Sequence, residues 1–194
     1  MSNSLNEMAG ENGHIAKVWT ALFGIVLWFG STYAQFLHFH FELSATTQYS
    51  NTVVGVGALV SAVVIALALN APTVFRPARK IRFWYLMSAA LVLAIVPLVF
   101  LFQELSQLWT CQTSAGLSLV KGETPTPWML DFLKVNRDAC AAFDQFPGNE
   151  SMLYAAGSSW PRFQLLGGVY ILSWAALSAL IISVANCFKI KPGP

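Results

Sequence analysis

Residues Thr52–Leu69 read TVVGVGALVSAVVIALAL, eighteen residues without one charge, and Phe83–Gln103 read FWYLMSAALVLAIVPLVFLFQ, twenty-one more. Lipid offers backbone N–H and C=O groups no partners, so uncharged apolar runs of this length must be helices. About 20 such residues cross a hydrocarbon core. Working outward, Val18–Phe41 (24 residues) and Phe163–Phe188 (26 residues) are also uncharged. All 20 charged residues of the 194 therefore lie between or outside four segments. The chain is 56% hydrophobic and 10% charged, with a mean hydropathy of +0.57. A soluble domain carries about 25% charge, and a globule of this length could not hide so much apolar surface. Disorder, a basic nucleic-acid-binding domain and a cytosolic enzyme are excluded on the same figures. The expected fold is an all-α membrane protein: one domain, 1–194, built as a four-transmembrane-helix bundle. Its helices are expected at about 18–41, 52–69, 83–103 and 163–188, with a long loop at 104–162. The first 17 residues carry Glu7 and Glu11 and no basic n-region, so the first helix should stay in the mature protein.

Charge sets the orientation. The 70–82 link holds Arg76, Arg79, Lys80 and Arg82 and no acid. With Lys17, Lys189, Lys191, Glu7 and Glu11, that side carries a net +5, while the other side carries −3. The positive-inside rule then puts both termini in the cytoplasm and 104–162 outside. In a Gram-negative bacterium that means the inner membrane, with the long loop in the periplasm. Trp19 and Trp84 near one interface, with Trp109 and Trp160 near the other, fit an aromatic belt.

This topology sorts the cysteines. Cys111 and Cys140 share the outer loop, an oxidising compartment, and are expected to form a disulfide. Cys187, at the cytoplasmic end of the last segment, should be a free thiol. No Cys-x-x-Cys occurs. Between the pair, Thr126 and Pro127 supply a cap and a first-turn proline for a short helix. Trp128, Met129, Phe132 and Leu133 would share its apolar face, to lie on the bilayer surface or on the loop's own core. Pro147-Gly148-Asn149 marks a turn, and 147–161 reads as irregular chain.

Other chemistry is sparse. His38, His40 and Glu42 offer two imidazoles and a carboxylate for a metal. Residues i and i+2 of a helix diverge, so binding requires local unwinding or an extended segment there, and interfacial histidines without a metal are the favoured reading. Tyr33 and Gln35 are polar at membrane depth and suit interhelical hydrogen bonds. Gly57-x-x-x-Ser61 and Gly167-Gly168 permit close helix approach, within the bundle or to a partner. Pro97 should kink the third segment.

Four segments, a short first outer loop, and a long second one with two cysteines and an amphipathic helix resemble the disulfide bond formation protein B (DsbB) family. The local likeness lies in Thr110-Cys111, in Trp128–Leu133, in Asp138-Ala-Cys140-Ala, and in Trp160-Pro-Arg-Phe-Gln-Leu-Leu-Gly leading into the last segment. The resemblance implies a quinone-dependent thiol oxidase, with a Cys-x-x-Cys before the second helix beside a bound quinone and an arginine. In this chain Ser44-Ala-Thr-Thr47 falls on the Cys-x-x-Cys, Tyr49 on a tyrosine and Asn51 on the arginine. Disulfide exchange and quinone reduction both need a thiolate there. Hydroxyls at Ser44 and Thr47 break the relay at its middle link, so no catalytic residue is expected. The expectation is a redox-silent, DsbB-like accessory subunit of a larger membrane complex, such as a respiratory or oxidoreductase one, needing no cofactor and contacting lipid and other membrane subunits. Two alternatives stay open. One is a quinone-linked protein-disulfide oxidoreductase using Cys111 and Cys140. The other is a non-catalytic module holding quinone or lipid near Tyr49 and Asn51.

Overall fold

The computed structural model describes residues 37, 39–44, 49–74, 81–146 and 150–189. Most of the first apolar segment, with Trp19, Tyr33, Gln35 and His38, lies outside these residues, as do Thr47 and both termini. Among the described residues three long helices are present: α1 (Tyr49–Val74), α2 (Ile81–Trp109) and α6 (Trp160–Lys189). All three are long and apolar enough to cross a membrane. Each outruns its uncharged core: α2 runs on to Trp109 and α6 begins at Trp160, so the long connection is 110–159. A charged or aromatic turn at a helix end still keeps its backbone hydrogen bonds inside the helix. Pro97 sits within α2, which continues through it.

The helix α6 is the hub, packed along both α2 and α1. Within its most apolar window 39% is buried inside the chain, against 6% for α1 and 11% for α2. Small residues make these approaches possible. A Cβ on Gly57 would lie 3.3 Å from Tyr170 Cε1, and one on Gly167 would lie 3.3 Å from Val53 Cγ1. Gly168 has open space instead, so Gly57 and Gly167 serve the α1–α6 contact. On the α2 side Ser183 Oγ donates to the Trp84 carbonyl and Ser88 Oγ to Ser183 Oγ, each at 3.0 Å. Such bonds satisfy hydroxyls that lipid cannot. Trp84 itself is buried beside Cys187 and Phe83. That corrects its expected place in an aromatic belt: its indole fills the α2–α6 seam rather than facing the interface.

The long connection is a small folded unit. It carries β2 (Thr110–Gln112), β3 (Ser118–Val120), α3 (Pro127–Val135), α4 (Cys140–Gln145) and α5 (Glu150–Leu153). The turn between the two strands closes through Gly116 N–H to Thr113 O (2.9 Å), with Gly116 at φ +80°. Only glycine takes that conformation without strain. Thr126 accepts the Met129 N–H and Pro127 opens α3. Met129 is fully buried in a core with Cys111, Leu119, Ala142, Phe143, Leu153 and Tyr154. Trp128 stacks on Phe132 and meets the Phe146 ring edge-on at 4.8 Å. The apolar side of α3 thus packs on the connection's own core. The irregular stretch read at 147–161 also needs correcting: it contains α5 and the start of α6, because Leu153 and Phe163 are core residues that fix their turns.

A strand from the first linker completes this unit. The segment 18–41 was expected to be helical to its end, yet Phe39 and His40 are outside any helix and Phe41–Glu42 form β1. It pairs parallel with β3, Phe41 opposite Ser118 and Glu42 opposite Leu119. The sheet order is β1-β3-β2. The backbone groups of Phe41 and Glu42 meet partners on β3, and Leu37, Phe39 and Phe41 bury their side chains among Phe102, Phe163 and Tyr170. Those two gains outweigh one further helical turn.

Candidate functional site

Every candidate residue inside the described region sits where the first linker meets the long connection. Cys111 and Cys140 are joined by a disulfide with Cα atoms 5.1 Å apart. Cys111 lies on β2 opposite Leu119, and Leu119 lies opposite Glu42 on β1. At about 4.8 Å per strand spacing, Glu42 is roughly 10 Å from Cys111 across the sheet. Ser44 follows two residues later, half-buried. The fold therefore carries the linker that holds the Ser44 position up to the cysteine pair.

The Glu42 side chain is buried and accepts hydrogen bonds from Ser50, through its hydroxyl to Oε1 and through its backbone N–H to both carboxylate oxygens (3.3 and 3.4 Å). Ser50 lies in the first turn of α1, where N–H groups lack an intrahelical acceptor and the helix dipole favours an anion. Beside the metal reading of His38, His40 and Glu42, this gives the carboxylate a structural use. The carboxylate is engaged as an anchor for α1, the exposed His40 ring lies against Phe41 at 4.7 Å, and His38 is outside the described residues. No cluster of three metal-ligating side chains occurs among the described residues. The anchor itself could not be read from the sequence, since Glu42 lies seven residues before α1 begins, beyond the reach of a capping pattern.

Tyr49 and Asn51 lie at the start of α1. The Tyr49 ring packs on Trp160 (5.4 Å) and Phe163 (6.3 Å) while keeping one side exposed, and Asn51 is exposed. Beside them a recess of about 210 Å³ is lined by Leu43, Ser151, Tyr154, Ser159 and Trp160, among others. Tyr154 is buried there, and that burial pushes its phenol above the usual range. Further along the helices, Val54, Gly57, Ser61, Ile65, Tyr170 and Trp174 line part of an apolar groove of about 430 Å³ between α1 and α6.

A basic residue that sequence reading passed over fastens the unit to the helices. Arg162 Nη1 donates to Gly122 O (2.9 Å) and Lys121 O (3.3 Å). Its Nε stands 3.9 Å from Glu123 Oε1, and its guanidinium sits 5.6 Å from the Trp109 ring centroid. This one side chain ties the first turn of α6 to the end of α2 and to the stretch after β3. Lys121 pays for the arrangement: burial first, then the neighbouring Arg162 charge, depresses its ammonium pKa. Gly122 must be glycine, since a Cβ would meet Ser158 Oγ and stand 2.5 Å from Tyr154 Cβ.

Chemically the site offers one disulfide, a carboxylate occupied with a helix start, and aromatic walls. Cys187, the free cysteine among the described residues, is buried near the far end of α6. It lies 27 residues beyond Trp160, about 40 Å at the helical rise. Comparison with protein-family models, curated proteins and solved structures gives no match for the chain.

Proposed function

We propose that the chain is a redox-silent, DsbB-like membrane protein that serves as an accessory subunit of a larger membrane complex. It resides in a bacterial inner membrane as a four-helix bundle, with both termini cytoplasmic and the long connection periplasmic. The observation that carries this reading is the isolation of the Cys111–Cys140 pair. The linker brought to it by β1 presents Ser44, and the sequence has Thr47 at the second position, where a relay to quinone needs two sulfurs. The Cys187 thiol is too remote to stand in. Among the described residues, the scantly buried faces of α1 and α2 support the subunit part, since they leave apolar surface for further helices, of this chain or another, as well as lipid.

The experiment is a turnover assay on purified protein with a reduced dithiol and ubiquinone. Quinone reduction should stay at the uncatalysed rate. Turnover lost in Cys111→Ala would instead make the protein a disulfide-generating enzyme. Reporter fusions after Ala78 and after Gly148 should report opposite compartments, and one shared compartment would contradict the topology.

One observation favours a second reading, a non-catalytic module for quinone or lipid. The apolar groove between α1 and α6, at about 430 Å³, falls within the usual size of a small-molecule site. Co-purified quinone lost on Gly57→Leu would support that module.

A further inference from the structure

Three contacts form an unbroken path from the disulfide to the first turn of α1. Cys111 is in register with Leu119, the central strand places Leu119 in register with Glu42, and the Glu42 carboxylate grips the Ser50 N–H and hydroxyl. At the other end of the bridge, Cys140 opens α4, which packs on β2 and α5. Asp144 of α4 also accepts the Ser114 N–H at 2.6 Å. The strands are only two or three residues long, and isolated pairs of that length are not stable alone. Strands this short depend on anchors outside the ladder, and the bridge is the covalent one on β2.

We infer that the Cys111–Cys140 disulfide is a latch on α1: through the β2-β3-β1 sheet it holds Glu42 against Ser50, and its reduction releases that grip. Cys111 is almost fully buried while Cys140 is partly exposed, so a dithiol enters at Cys140. Its thiolate attacks Cys140 Sγ, the S–S bond breaks, and Cys111 leaves as a thiolate and takes a proton. The second thiol of the reductant displaces the mixed disulfide and frees the Cys140 thiol. Two electrons and two protons pass to the protein while the dithiol becomes a disulfide. This latch needs no quinone and no electron transfer beyond the pair, so it stands whether or not the accessory reading holds.

Hydrogen exchange of the full-length protein in lipid nanodiscs tests the latch. The Ser50 N–H has no intrahelical acceptor, so its protection reports the Glu42 contact directly. Dithiothreitol reduction, verified by thiol trapping, should raise Ser50 exchange at least tenfold while the Phe163 N–H, bonded to Ser159 O in the first turn of α6, changes less than twofold. In Glu42→Ala, exchange at Ser50 should already be fast and should no longer respond to the reductant. An unchanged Ser50 rate on reduction would overturn the latch. An equal rise at Phe163, or a full response to reduction in Glu42→Ala, would overturn it as well, because the effect would then be general loosening.

Discussion

Gly122 and Arg162 show how much of the junction rests on single side chains. Arg162 spends its donors on the carbonyls of Lys121 and Gly122, which brings the chain so near Tyr154 that only hydrogen fits at Gly122. Gly122→Ala should therefore cost about 1–3 kcal/mol by overpacking, read as a lower denaturation midpoint in detergent. Lys121 acts in the opposite sense. Its folded pKa lies below its unfolded one, so its charge opposes folding in full below the folded value, and the penalty fades as pH climbs toward about 10.5. Lys121→Met should accordingly raise the thermal midpoint at pH 7, and the gain over the wild-type chain should vanish above pH 10.5. Little of this was legible in the sequence. Arg162 and Lys121 could be counted for topology, but a carbonyl clamp depends on backbone brought together from forty residues away.

Among the elements, the long apolar helices and the capped α3 could be read directly. Uncharged length and a Thr-Pro start act locally, and local rules hold in any tertiary setting. The sheet was hidden for the opposite reason. β1 is two residues long and its partner β3 lies 77 positions later, and no periodicity survives in so short a strand. Phe39–Glu42 looked like the end of an apolar helix because the same aromatic residues suit either burial. Glu42 was singled out for its chemistry and is found in structural use, hydrogen-bonded to Ser50 at the start of α1. The disulfide is the element whose removal is easiest to weigh. Closing the Cys111–Cys140 loop, with a sequence separation of 29, is worth roughly 3–4 kcal/mol in the chain-entropy model. Cys111→Ser with Cys140→Ser should lower the stability of the connection by that amount, measured by denaturant-induced loss of tertiary fluorescence, while helix content in lipid is retained.

As a whole molecule, the described chain is a hub helix with two flanking helices and a small disulfide-bonded unit clamped at one end. The unit has its own buried core, separate from the one between the helices. Among the described residues the faces of α1 and α2 are apolar and scarcely covered, and association in lipid rewards close packing of such surfaces more than hydrophobicity itself. Native mass spectrometry of the protein released gently from undisrupted membranes weighs the accessory-subunit reading most directly. The 21.2 kDa chain should fly bound to at least one other membrane protein at fixed stoichiometry. A 21.2 kDa monomer carrying only lipid or quinone under the mildest release would contradict the reading and leave the ligand-holding module in its place.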